Sequence, residues 1–136
     1  MAEYLFTYGT LQPGHAPAMI AAAAARLRPI GQGKVHGTLY DFGLYPGVIL
    51  DAASGRTIFG TVYQLPDDTS VLRQLDDYEE CYPDAPELSQ YLRVLHPVTL
   101  ANEETLDCWI YVYNRDVRLA RIVESGRWEQ RTKKAE

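Results

Sequence analysis

Two short stretches of this chain hold residues able to do chemistry. The first is Leu75-Asp76-Asp77-Tyr78-Glu79-Glu80. A carboxylate just past a helix end, in a loop beside aromatic side chains, loses part of its hydration. Desolvation then lifts its pKa toward the range of a general base. The same run also reads as an ordinary solvated acidic cluster. The second stretch is Tyr8-Gly9-Thr10-Leu11, a strand that ends abruptly at a glycine. Such a turn leaves consecutive N–H groups unpaired and pointing one way, a nest for a carboxylate or an oxyanion. Glycine also lets a ligand come close to the backbone. Taken alone, Gly-Thr after a strand is equally the mark of a plain turn.

Other familiar chemistries lack their residues. His15, His36 and His96 are far apart, and none sits at a ligand spacing, so neither metal nor cofactor is expected. There is no glycine-rich phosphate loop of Walker or Rossmann type. Ser54, Ser70, Ser89 and Ser125 stand in no nucleophile-elbow context. Neighbouring carboxylates would raise the Cys81 thiol and blunt its reactivity. Cys81 and Cys108 are too few for a disulfide framework, and a reducing, cytoplasmic setting is expected. Thirteen Lys and Arg against 18 Asp and Glu give a formal net charge of −5. That is the wrong sign for nucleic acid or an anionic membrane surface, and no such partner is expected. It does not exclude a small acidic ligand, because a few backbone N–H groups can hold a carboxylate inside an acidic protein. The start of the chain lacks the basic and apolar runs of a signal peptide. The longest apolar stretch, residues 16–25, is about half of a membrane span.

These residues need a scaffold. The 136 residues, 46% of them hydrophobic and 23% charged, suit one domain with one proper core. We expect that domain over residues 1–128 and a charged, fraying tail over 129–136. Strands are expected over residues 3–8, 33–42, 48–50 and 57–65, with Val35, Gly37 and Leu39 on one face of the second. A helix is expected from Pro17 through the alanine run, ending before Pro29. A short second helix, capped by Asp68 or Thr69, would bury Val71, Leu72 and Leu75. Residues 79–90 read as a long loop, and strands over 91–100 and 105–113 flank a hairpin turn at Asn102-Glu103-Glu104. Ten tyrosines suit a polar pocket or a β-rich core, since a buried phenol keeps a usable hydroxyl. The fold class is α+β: a small mixed, mainly antiparallel β-barrel with flanking helices.

In order and spacing, several motifs resemble the γ-glutamylcyclotransferase-like family. They are Tyr8-Gly9-Thr10-Leu11, Gly37-Thr38-Leu39-Tyr40, Tyr45-Pro46-Gly47, Gly60-Thr61-Val62-Tyr63, Leu75-Asp76-x-Tyr78-Glu79 and Tyr91-x-Arg93. The strand carrying Tyr111 and Tyr113, then Ile122-x-x-Ser125-Gly126-x-Trp128, complete the series, which spans nearly the whole chain. The resemblance implies a barrel with a cavity at its mouth and a small-molecule γ-glutamyl substrate. It implies that the loop of Tyr8, Gly9, Thr10 and Leu11 holds the substrate's α-carboxylate, and that Glu79 is the general acid/base. Tyr45, Tyr91 and Tyr111 would line the cavity, Tyr111 being equally suited to the core. Arg93 has two roles open to it, a substrate carboxylate or a loop acid such as Asp76 or Glu79. One departure stands out: the family commonly has glycine after the glutamate, where this chain has Glu80, a competitor for the role. The implied activity is metal-independent release of 5-oxoproline by intramolecular attack of the α-amine on the γ-amide. The alternative is a non-catalytic small-metabolite-binding or interaction module on the same fold.

Overall fold

The computed structural model describes residues 2–9 and 16–128. Thr10, Leu11, His15 and the expected tail at 129–136 lie outside the described residues. Seven strands occur among them: β1 (Tyr4–Thr7), β2 (Arg28–Asp41), β3 (Pro46–Leu50), β4 (Thr57–Gln64), β5 (Tyr91–Leu100), β6 (Thr105–Tyr113) and β7 (Arg121–Ile122). Two helices accompany them, α1 (Ala21–Ala24) and α2 (Thr69–Tyr78). The hydrogen-bonded order is β3-β2-β4-β1-β6-β5, and β5 returns to β2 through Gly33↔Leu100 and Lys34↔Thr99. Five strands therefore close on themselves into a barrel. The β1–β6 pair is parallel and the other barrel pairs are antiparallel, so the barrel is mixed but mainly antiparallel. Closure removes the sheet edges that an open β-sheet must protect.

Strand alternation divides the apolar residues between two cores. Phe6, Val35, Ile58, Val62, Val98, Cys108 and Ile110 form one, drawn from all five barrel strands. Their neighbours in sequence, Leu5, Tyr63 and Tyr111, belong to the other, which includes Ala23 of α1 and Val71 and Leu75 of α2. β1 serves both cores, with Leu5 and Phe6 buried to 0% and 1%. It lies between β4 and β6, so its C-terminal end emerges from the middle of the sheet. Gly60 permits the close pairing there: a Cβ at that position would come within 2.2 Å of the Thr7 carbonyl oxygen.

Helix α2 starts where the sequence puts it. The Asp68 side chain accepts a hydrogen bond from the Ser70 N–H at 2.9 Å and also holds Arg26 at 2.9 Å. Val71 and Leu75, one turn apart, are buried on its inner face, and burial of each such side chain contributes about 2 kcal/mol. Two expectations are corrected. The first helix is regular only over Ala21–Ala24, because no side chain caps its start and a short helix is costly to nucleate. The second strand begins at Arg28, earlier than residue 33, and runs through Pro29. A register shift between Pro29 and Gly31 absorbs the proline, which cannot donate to a regular ladder. No described helix is long and apolar enough to cross a membrane.

Candidate active site

The end of α2 sets the geometry. Cys81 N–H donates to the Asp76 carbonyl at 2.8 Å, and Glu80 N–H donates to the Asp77 carbonyl at 3.2 Å. These are the paired bonds of a Schellman cap, which needs a left-handed residue at the position after the cap. That residue is Glu80, with φ 55°. The reversal separates the two glutamates. Glu79 is partly buried and lines a cavity, whereas Glu80 is exposed and does not.

The cavity has a volume of about 80 Å³. The end of β1 supplies Phe6, Thr7, Tyr8 and Gly9, the entry to β3 supplies Tyr45 and Pro46, and the end of α2 supplies Tyr78 and Glu79. Tyr91 opens β5 and Tyr111 comes from β6. Gly9 packs so closely on Pro46 that a Cβ would lie 2.8 Å from the proline ring. Stacked rings border this region: Phe42 lies 4.2 Å from Tyr113 and 5.5 Å from Tyr45.

No described cation pairs with the Glu79 carboxylate. Burial pushes its pKa from 4.5 up to about 7. Tyr8, Tyr91 and Tyr111 are also raised, first by burial and further by the negative charge of Glu79. A carboxyl group poised near neutrality can take up and return a proton at working pH.

Behind Tyr111 sits a partly buried ion pair. Arg93 Nε donates to Asp76 Oδ1 at 2.7 Å, and a terminal nitrogen donates to Oδ2 at 3.0 Å. Tyr111 Oη donates to the same Oδ1 at 2.7 Å. The guanidinium stacks 4.4 Å from the centroid of Trp109.

Of the residues singled out from the sequence, Tyr8, Gly9, Tyr45, Glu79, Tyr91 and Tyr111 meet at the cavity. Thr10 and Leu11 lie outside the described residues. Arg93 does not line the cavity; of its two open roles the structure shows the pairing with an acid, Asp76, which lies in the last turn of α2 and not in a loop. The sequence offered Asp76 as a partner for Arg93, and that pair is present, but it gave neither Asp76 nor Tyr78 a place among the site residues. Asp76 lies three residues before Glu79, a spacing that puts both on one side of the helix end, and that was the available signal.

Residues 5–130 match the family described as "Gamma-glutamyl cyclotransferase, AIG2-like". The chain belongs to that family. A Halalkalibacterium halodurans protein named "Putative gamma-glutamylcyclotransferase" is 36% identical over 96 residues, covering 69% of this chain and 79% of that protein. The γ-L-glutamyl-butirosin B γ-glutamyl cyclotransferase of Niallia circulans is 30% identical over 113 residues, covering 82% of this chain and 67% of its own length. The crystal structure of an AIG2-like protein from Mus musculus superposes with a TM-score of 0.69 at 18% identity, covering 98% of this chain and 92% of that one. That likeness carries the fold. A mixed barrel with few helices is thus the γ-glutamylcyclotransferase architecture, as the motifs implied.

Proposed function

We propose that this γ-glutamylcyclotransferase family member cleaves a γ-glutamyl amide by closing it into 5-oxoproline and freeing an amine or amino acid. One observation carries the reading: in a chain of this family, a cavity-lining carboxyl group with no cationic partner among the described residues is held near pKa 7. The substrate carries its own nucleophile, so the chain needs to supply placement, a proton acceptor and a proton donor. Glu79 takes a proton from the α-ammonium. The freed amine attacks the γ-carbonyl carbon, and a five-membered ring closes. The ring nitrogen gives its extra proton to solvent, the oxyanion re-forms the carbonyl as the bond to the leaving nitrogen breaks, the Glu79 carboxylic acid protonates that nitrogen, and the released amine takes up a proton from solvent. Glu79 ends as it began, a carboxylate.

In this reading the Tyr8–Gly9–Thr10–Leu11 stretch holds the substrate's α-carboxylate through backbone N–H groups. Tyr45, Tyr91 and Tyr111 shape the cavity, and Arg93 acts through Asp76. A panel of γ-glutamyl amines, amino acids and peptides will rank the leaving group. The test is 5-oxoproline release by wild type beside Glu79→Gln, which keeps the shape and removes the base. We expect turnover by wild type and a loss of at least about a hundredfold in the folded variant. Turnover that survives the substitution refutes the assignment. Binding of γ-glutamyl compounds without turnover by wild type would identify a binding module instead.

A further inference from the structure

Thr7, the last residue of β1, lines the cavity with Glu79 and is 5% exposed. Its hydroxyl oxygen is buried and has no hydrogen-bond partner among the described residues. Side chains alternate along a strand, so Thr7 points to the same side as Leu5. Leu5 packs in the core that includes Tyr91, Tyr111 and Leu75 of α2, and that is the side on which Glu79 follows the helix. A hydroxyl carries one proton and two lone pairs, and burying it unpartnered costs stability. Three phenols on the same cavity wall have protein acceptors instead. Tyr8 Oη donates to the backbone carbonyl of Tyr111 at 2.5 Å. Tyr91 Oη donates to the backbone carbonyl of Pro46 at 2.6 Å, and Tyr111 Oη to Asp76 Oδ1 at 2.7 Å. Thr7 combines deep burial with a proton that is still free to be given.

We propose that Thr7 is a catalytic residue whose hydroxyl donates a hydrogen bond to the substrate's γ-carbonyl oxygen and holds the oxyanion that this oxygen becomes. On the cyclotransferase reading, on which this assignment rests, attack by the amine moves the carbonyl π electrons onto that oxygen. Collapse returns them as the bond to the leaving nitrogen breaks, and the Thr7 proton stays on Thr7 throughout. The other donors of that reading have work elsewhere. Backbone N–H groups of the Tyr8–Leu11 stretch hold the α-carboxylate, and the proton on Glu79 goes to the leaving nitrogen. The γ-carbonyl oxygen is the substrate acceptor on which charge develops, and it needs a donor of its own. A hydroxyl fixed in a buried wall meets that charge with no solvent to reorganise.

The test compares wild type, Thr7→Val and Thr7→Ser. Valine keeps the shape and removes the hydroxyl, and serine keeps the hydroxyl. Thr7→Ala replaces Thr7→Val should the latter fail to fold. The first readout is 5-oxoproline release from γ-L-glutamyl ethylamide. Thr7→Val should lower kcat by at least about tenfold and leave KM within about twofold, because the bond strengthens as the oxyanion forms. Thr7→Ser should keep kcat within about threefold of wild type. The second readout needs no turnover. L-2-Amino-4-phosphonobutanoate is a glutamate with a tetrahedral, anionic phosphorus in place of the γ-carboxyl carbon. Titrated calorimetrically below about pH 7, where Glu79 holds its proton, it should bind wild type and Thr7→Ser at least about tenfold more tightly than Thr7→Val. An unchanged kcat in Thr7→Val, a loss confined to KM, an equal loss in Thr7→Ser, or a phosphonate that binds wild type and Thr7→Val alike or neither overturns the assignment. Phosphonate binding that depends on the hydroxyl, in a wild type that releases no 5-oxoproline, would keep the donor and refute the reaction. 5-Oxoproline released equally by wild type and Thr7→Val would do the reverse.

Discussion

Glu79 differs from the other described glutamates, which are exposed, and its position makes a kinetic prediction. Its carboxyl group must be ionised to accept a proton, and burial holds its pKa near 7. We therefore expect kcat/KM for 5-oxoproline release to rise with unit slope below about pH 7 and to level above it. A pH profile of the wild type checks this, and a limb at the ordinary carboxylate pKa would mean that the acid/base is a solvated group. At this scale the sequence was informative in an uneven way. Glu79 was legible because Leu75-Asp76-x-Tyr78 fixes its register on the helix end. Tyr8, Tyr91 and Tyr111 were legible as aromatic positions. Where their hydroxyls donate, to the Tyr111 carbonyl, the Pro46 carbonyl and Asp76 Oδ1 respectively, was not, because those acceptors lie 35 to 103 residues away in sequence. Arg93 could not be placed from sequence for the same reason: a guanidinium fits a substrate carboxylate and Asp76 alike, and only the fold brings Asp76 to it.

The end of α2 joins the residue to the fold. The departure from the family's glycine falls on Glu80, which holds the left-handed position of a Schellman cap. A glycine preference there follows from backbone conformation and needs no catalytic explanation. A non-glycine residue in that region costs about 1–2 kcal/mol, part of which the greater freedom of an unfolded glycine gives back. Glu80→Gly should therefore stabilise the protein by about 0.5–1 kcal/mol in denaturant unfolding, with 5-oxoproline release retained. Destabilisation, or loss of turnover in the folded variant, would show that the Glu80 side chain does more than occupy a cap. The other elements show what sequence pattern can carry. β5 and β6 fell where alternation and a turn put them, since both ends are marked locally. The run after Pro17 promised a full helix on propensity alone, yet without a cap only Ala21–Ala24 is regular. β2 ran on past Pro29 because pairing with β4 tolerates a bulge that no local signal announces.

For the molecule as a whole, the carboxyl group that suits the chemistry opposes folding. In the unfolded chain Glu79 ionises near pH 4.5, and in the folded protein near 7. Between these values the folded state binds more protons than the unfolded state, so stability falls as pH rises. Below about pH 4.5 both states are protonated and the group is neutral toward folding. Above about 7 both are ionised and the full penalty applies, about 3 kcal/mol for a rise of that size. The barrel and its two cores must absorb this cost. Glu79→Gln removes the ionisation and keeps the side chain's size. The variant should match wild type near pH 4 and exceed it by about 2–3 kcal/mol at pH 8, where wild type is at its least favourable with respect to this group. Urea unfolding of both proteins across that range reads the difference directly. A gap that stays constant with pH would mean that Glu79 ionises alike in the folded and unfolded chains, and the buried general base would fall with it.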